Sequence, residues 1–365
     1  MRIIYCSLDY TPHDHRFLSA LAETEHEVFY VRLQRGLRQI EDRPVPGKVE
    51  QVQWAGGRKP FAWKDLLWLA SDFQRVTRQI KPDLIHAGPI QTCGLIATMS
   101  GFHPRLTMSW GHDLLQDADR NWRLKRITQY VLRTTDHFIC DCETVQQRAI
   151  AVGMNPGRIS VFPWGVDLHH FTPADTPHSS LFTILSIRSW EPLYGVDVIA
   201  RAFVQAAKQR PEMRLVMLGG GSQEDMIRQV FTDAGLTKRV HLGGQVGQSE
   251  LPRNYHMADL YVSASHVDGS SVSLMEALAC GLPSLVSDIP ANREWINEGV
   301  NGWLFADGDA DALAGAILRV YDERQSLAGI RQAARATAVE RADWKKNFLT
   351  LLRAYERTLR VTQKM

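Results

Sequence analysis

Short apolar runs separated by amphipathic stretches recur along all 365 residues. In the first half the runs are Ile3–Leu8, Glu27–Leu33, Leu84–Ala87, Arg105–Trp110, His137–Cys140 and Ile159–Pro163. In the second they are Thr183–Ile187, Arg214–Leu218, Val240–Leu242, Leu260–Ser263, Ser284–Val286 and Gly302–Phe305. Continuous runs of this length, each followed by helical spacing, predict parallel strands buried on both faces and covered by helices. There is no internal repeat and no low-complexity tract. A chain of this length is long for one core, so two Rossmann-like lobes are expected, one per half. The boundary region is Pro163 to Ser180, which holds Pro163, Gly165, Pro173 and Pro177. Trp344 to Val361 reads as an amphipathic helix, with Phe348, Leu351, Leu352 and Tyr355 at helical spacing.

Composition narrows the function. The chain is 44% hydrophobic and 22% charged, as soluble globular proteins are, and its formal net charge of +2 argues against a nucleic-acid partner held by bulk charge. Five scattered cysteines, Cys6, Cys93, Cys140, Cys142 and Cys280, show neither a CxxC pair nor a metal-ligand spacing. They read as small buried apolar residues in a reducing compartment, with Cys140 and Cys142 sharing one face of a strand. The opening MRIIYCSLDY begins a strand rather than a signal peptide, and no apolar run approaches the roughly 20 residues that span a bilayer. The expected location is the cytoplasm.

The richest chemistry lies in Asp268-Gly269-Ser270-Ser271-Val272-Ser273-Leu274-Met275-Glu276, followed by Ala277-Leu278-Ala279-Cys280-Gly281-Leu282-Pro283. A strand runs into a small-residue loop that opens a helix, and the helix stops at a Gly. N–H groups at a helix N-terminus attract phosphates. A carboxylate one turn in can hold a ribose diol, and one at the loop entrance can reach a sugar.

This segment resembles the donor-binding signature of the family 4 retaining glycosyltransferases, which have the two-lobed GT-B fold. That signature usually carries two Glu residues with seven between; here the first is Asp268, one methylene shorter, and Glu276 keeps the second place. The resemblance implies two α/β lobes facing each other across a deep cleft, with the last helix crossing back to the first lobe. The expected domains are 1–170 for the acceptor, 171–345 for the donor and 346–365 for that helix. It implies donor binding by Glu276 at the ribose, Asp268 at the hexose, and Gly269, Ser270, Ser271 and Val272 near the diphosphate. Arg188 ends a strand where the family places an Arg on the diphosphate. The family's nearby Lys is replaced by Tyr194, which supplies no charge. Gly219 and Gly220 form a turn that reads equally well as a ligand loop or as plain packing. Gly244 and Val246 match where the family holds the base.

In the first lobe the match is weaker. His112, in Trp110-Gly111-His112-Asp113, reads equally as a contact to the donor sugar or as a His stacked in a loop. In place of the family's early Gly-Gly loop stands Thr11-Pro12-His13-Asp14-His15-Arg16, where His13 and Arg16 are acceptor candidates beside His86 and Asp113; a polar N-cap is the plainer reading. Asp117-Ala118-Asp119 and Asp307-Gly308-Asp309 look like metal triplets but are expected to cap helices, so no metal and no cofactor beyond the nucleotide-sugar co-substrate is expected. Two basic, aromatic segments, Arg58 to Leu69 and Arg120 to Arg133, suit either packing or an anionic membrane surface on the inner face. The expected activity is retaining hexose transfer to a glycan or lipid-linked acceptor. The alternatives are a nucleotide-sugar 2-epimerase or a catalytically lapsed nucleotide-sugar-binding partner.

Overall fold

The computed structural model describes residues 1–36, 41–174 and 181–362. It divides into two compact units: Met1–Phe162 with the C-terminal segment from Lys346, and Pro163–Lys345. The boundary passage therefore opens the second unit, and its residues 175–180, including Pro177 and Ser180, lie outside the described residues.

The first unit carries β1 (Arg2–Leu8), β2 (Glu27–Leu33), β3 (Val49–Gln51), β4 (Leu84–Gly88), β5 (Arg105–Met108), β6 (His137–Cys140) and β7 (Ile159–Val161). Their order is β3-β2-β1-β4-β5-β6-β7, all parallel. Ile3, Ile4, Tyr5 and Cys6 are consecutive and all buried, as a strand covered on both faces requires. The additional strand β3 is three residues, Val-Glu-Gln, with two of them exposed, which leaves no apolar run to read. The helix Pro12–Ala22 begins with a reciprocal capping box between Thr11 and Asp14, the polar cap expected there. Cys140 ends β6 while Cys142 caps the following helix; the two do not share a strand face, although both are buried.

The second unit carries β8 (Phe182–Ile187), β9 (Met213–Leu218), β10 (Val240–Gly244), β11 (Leu260–Ser263), β12 (Ser284–Ser287) and β13 (Gly302–Phe305). The order is β10-β9-β8-β11-β12-β13, again parallel. At its start Trp164, Val166 and Phe171 are buried, and Arg335 donates to the carbonyls of Phe171 and Ala279 at 2.8 and 2.6 Å. Gly165 has φ +72°, and a Cβ there would stand 2.7 Å from the Ala342 carbonyl oxygen, so only Gly fits.

The last helix, Trp344–Thr362, returns to the first unit, where Leu351, Ala354, Tyr355 and Thr358 are buried. Tyr355 meets His86 on β4, hydroxyl to Nδ1 at 2.8 Å, with Tyr5 and Phe17 also against the imidazole. Burial holds the His86 pKa down to about 3, so it is neutral in the fold. In the unfolded chain it titrates near the ordinary value of about 6.5. Below that pH only the unfolded chain gains the proton, so this stability is full above about pH 6.5 and is lost as pH falls toward 3. His137, pushed down to about 4 chiefly by burial, acts in the same direction. Asp14, raised by burial to about 6, acts oppositely: its contribution is full below pH 3.8 and is lost as pH rises through 6. The expected outcome is a melting temperature that falls between pH 6.5 and 4. In His86→Leu the fall should be shallower, by about one proton of linkage; equal slopes in calorimetric melts of the two proteins would refute it.

Candidate functional site

In the second unit the strand order reverses between β8 and β11, and the carboxyl ends of strands at such a point frame a ligand crevice. Arg188 follows β8, and the loop to Ser271 follows β11. The Arg188 Nη2 donates to Asp268 Oδ2 at 2.7 Å, and Nη1 to Ser271 Oγ at 2.8 Å and Ser273 Oγ at 3.4 Å. The guanidinium carbon lies 4.2 Å from the centroid of the Tyr194 ring, and the Arg188 side chain is only 10% exposed. Burial favours the neutral form, but Asp268 and the neighbouring tyrosines outweigh it and hold the pKa above the usual arginine value. The sequence brings Arg188, Tyr194, Asp268 and Ser271 together as one cluster.

Backbone constraints build that cluster. Tyr194 ends a short turn closed by Gly195 at φ +57°, where a Cβ would stand 2.1 Å from the Ala264 carbonyl oxygen. Gly219, at φ +143°, has the same relation to the Arg188 carbonyl, also at 2.1 Å. Gly219 N–H donates to the Gly244 carbonyl at 2.7 Å, and Trp190 N–H to that of Gly220 at 3.0 Å. The glycine turn thus packs directly against the backbone that carries Arg188. Gly244 ends β10 after a register shift, and Val246 is half-buried against the core.

Ser271 caps the helix Val272–Ala279, yet its hydroxyl makes no cap hydrogen bond and serves Arg188 instead. The first-turn N–H groups of that helix therefore receive no cap from the Ser271 hydroxyl. Glu276 is buried on that helix. Tyr255 Oη donates to its Oε2 at 2.8 Å, and Gln248 Nε2 to its Oε1 at 3.0 Å. Tyr255 and Gln248 carry no motif in the sequence; their role shows only when the chain folds over. Ser270 is buried, and its Oγ accepts from Trp295 Nε1 at 3.0 Å. Gly269 N–H donates to Asp268 Oδ1 at 3.1 Å.

The first-unit candidates separate. His86 is fully buried against Tyr355, so it cannot meet an acceptor; it lies in mid-strand, and the last helix that covers it comes from far along the chain. Asp113 is also buried. Its carboxylate accepts from Ile90 N–H at 3.0 Å, Ser109 Oγ at 2.6 Å and Trp110 N–H at 2.9 Å, which makes it a clamp on the loop. Burial raises its pKa above the ordinary carboxylate value. His112 opens a four-residue helix after Gly111 at φ +83° and is half-buried. His13 packs on Trp110, ring centroids 4.9 Å apart, with Arg16 one turn along the same helix.

Asp309 caps the helix Ala310–Asp322, accepting from Asp311 and Ala312 N–H, and Asp307 meets His266 Nδ1 at 2.7 Å. The first triplet does not cap a helix: Asn121 caps Trp122–Thr134, and Asp119 pairs with Arg148. Among the described residues, no group of three or more His, Cys, Asp and Glu could hold a metal ion. No described helix is long and apolar enough to cross a membrane.

Comparison with known proteins bears on both units. The model for "Glycosyltransferase Family 4" matches residues 13–170, and that for "Glycosyl transferases group 1" matches 174–337. The chain is 31% identical over 199 residues to the amylovoran biosynthesis glycosyltransferase AmsK of Erwinia amylovora, covering 52% of this chain and 49% of that protein. It spans about half the length of the curated relatives it matches first. A sucrose-phosphate synthase from Thermosynechococcus elongatus superposes with a TM-score of 0.84 over 98% of this chain and 99% of that one, at 17% identity. Anabaena Alr3699/HepE, solved with UDP and glucose, superposes at 0.80 over 98% and 99%, at 18% identity. At those identities the likeness is one of fold, and the fold is GT-B. With one family model on each half, the chain belongs to the family 4 glycosyltransferases.

Proposed function

We propose that the protein transfers a hexose-type sugar from a nucleotide-diphosphate donor to an acceptor hydroxyl, with retention at the anomeric carbon, in the assembly of a polysaccharide, lipopolysaccharide or glycolipid. The observation that carries this reading is the Arg188 fork, held by Asp268 and Ser271 at the mouth of a helix whose N-cap hydroxyl serves the guanidinium. An Arg that already accommodates a carboxylate at 2.7 Å suits a phosphate in the same geometry. The Val272 end of the helix adds N–H donors and the positive end of its dipole. Negative charge grows on the diphosphate as the glycosidic bond breaks, and these groups stabilise it without a metal ion. Tyr194 supplies no charge there; it holds the guanidinium plane. Asp268, released from Arg188, then faces a sugar hydroxyl. Glu276 meets the ribose diol, since each carboxylate oxygen accepts more than one hydrogen bond and Tyr255 fixes its orientation. The leaving phosphate accepts the acceptor's proton on the same face. The acceptor is a glycan or a lipid-linked glycan, with His13 and Arg16 as its candidate contacts; His112 is the candidate contact to the donor sugar, and the work is cytoplasmic.

Tyr194 in place of a second cation keeps one other reading in play, a lapsed partner that binds the donor and transfers nothing.

Calorimetric titration with UDP, GDP, ADP and CMP in EDTA tests the reading. One nucleotide should bind clearly, and its sugar conjugate should give a product whose anomeric configuration matches the donor's by NMR. Binding without turnover on any acceptor selects the lapsed partner; no binding, with or without magnesium, sinks both. Glu276→Ala should weaken the nucleotide by about 10- to 100-fold, about 1.4–2.8 kcal/mol, in a variant that still folds. Wild-type affinity in that variant would remove Glu276 from the site.

Tyr194→Phe keeps the ring under Arg188 and should leave nucleotide affinity within about twofold, whereas Tyr194→Ala should lose about five- to tenfold. Equal losses would mean that the hydroxyl, and not the stack, matters.

A further inference from the structure

Glu276 is only 3% exposed, and one short stretch of chain has already given its carboxylate two donors. Tyr255 Oη reaches Oε2 at 2.8 Å, and Gln248 Nε2 reaches Oε1 at 3.0 Å. Tyr255 lies in the helix Leu251–His256, and Gln248 in the loop between β10 and that helix. The Tyr255 contact is buried, whereas the Gln248 contact lies toward the surface. Oε1 is therefore the side of the carboxylate that a ligand approaches, and Gln248 stands on that side.

The passage that opens the second unit pins this stretch at both ends. His170 Nε2 donates to the Gln248 carbonyl at 3.0 Å, and His256 Nε2 to the Thr172 carbonyl at 2.7 Å. A carbonyl only accepts, so both imidazoles carry a proton on Nε2. Between them the Phe171 ring packs edge-on against Tyr255, centroids 5.8 Å apart. Asp167 Oδ1 accepts from the His169 and His170 N–H groups at 2.9 and 3.3 Å, which fixes the passage itself. Gln248 is thus held through its backbone by His170 and through its amide by Glu276.

The partner decides which way that amide faces. An ionised carboxylate accepts and does not donate, so Gln248 turns Nε2 to Glu276 and its carbonyl Oε1 away. Among the described residues no donor reaches that Oε1. Gln248 is half-buried, so the acceptor is ordered by the fold and still open to a ligand. A ribose carries two vicinal hydroxyls. When one donates to Glu276 Oε1, it lies beside the Nε2 bound to the same oxygen. The neighbouring hydroxyl then falls along the plane of the amide, where the carbonyl end accepts it.

We infer that Gln248 reads the second ribose hydroxyl: Glu276 accepts from one, and Gln248 Oε1 from the other. This rests on the reading of Glu276 as the ribose carboxylate, and adds to it a residue that separates ribonucleotides from their deoxy counterparts.

The experiment is calorimetric titration with the nucleotide that binds among UDP, GDP, ADP and CMP, and with its 2′-deoxy and 3′-deoxy forms. Each deoxy form should bind the wild-type protein about five- to tenfold more weakly than the ribonucleotide. Gln248→Met keeps the length of the side chain without the amide. It should bind the ribonucleotide about fivefold more weakly, and one of the two deoxy penalties should vanish while the other stays. Gln248→Ala should show the same selective loss, so the result does not hang on one variant's folding. Both penalties kept in the Gln248 variants overturn the inference, as does an equal weakening of all three nucleotides, the mark of a merely structural glutamine. Tighter ribonucleotide binding by Gln248→Met also overturns it, because Gln248 is then a latch over Glu276. In each of these outcomes the reading of Glu276 stands if Glu276→Ala loses affinity. A wild-type protein indifferent to both hydroxyls, or one that binds no nucleotide, overturns the inference and that reading together.

Discussion

A guanidinium that is nearly buried must be paired, and the second unit is arranged around that requirement at Arg188. An unpaired charge in that position would cost several kcal/mol, so the fold supplies a carboxylate, two hydroxyls and an aromatic face to one side chain. These come from the end of β8, the turn before Gly195, the loop after β11 and the first turn of the next helix. They converge only because β8 and β11 are neighbours at the point where strand order reverses. The glycines follow from the same demand. Side chains at Gly195 or Gly219 would collide with the backbone at 2.1 Å and push apart the segments that carry Tyr194 and Arg188. Function and packing therefore share residues here, and the Gly-rich turn is explained by the backbone it touches before any ligand is invoked.

The first unit solves a different problem with a neutral group. His86 sits on the central strand beside β1 and is surrounded by Tyr5, Phe17 and Tyr355. Among the described residues a charged imidazole has no carboxylate to meet there, so burial keeps it uncharged, and its Nδ1 contact with Tyr355 ties the final helix to β4. This polar contact lies inside an apolar seam and gives the last helix a direction that packing alone would lack.

Most of the strand framework was legible because parallel strands covered on both faces leave unbroken apolar runs. Glu27–Leu33, His137–Cys140, Leu260–Ser263 and Gly302–Phe305 have the predicted bounds. Val49–Gln51 left no such run, and the end of Arg105–Trp110 was overstated because Ser109 and Trp110 belong to the Asp113-clamped loop. At the site, the spacing of Asp268 and Glu276 and the position of Arg188 were readable. Tyr255 and Gln248, which grip Glu276, were not, since hydrogen bonds across 21 and 28 residues leave no periodic trace. The same limit produced the errors at His86 and Asp113. Sequence shows a polar residue in or near a strand, but what covers it arrives from elsewhere in the chain.

The shorter acid at position 268 gives the proposed chemistry an order. Asp268 Oδ2 holds one arm of the Arg188 fork at 2.7 Å, while Ser271 holds the other at 2.8 Å. A diphosphate that takes the fork must displace the carboxylate but can keep the serine hydroxyls, which rotate from accepting to donating. Asp268 is then released only when phosphate has arrived, and released within one side chain's reach of the sugar attached to it. A carboxylate that turned to the sugar first would leave a buried cation unpaired, at a cost that the hydroxyls alone do not offset. In this reading Tyr194 is the fixed element of the exchange. The ring keeps the guanidinium in one plane while its anionic partner changes, and a lysine at the same place would have added charge without that constraint.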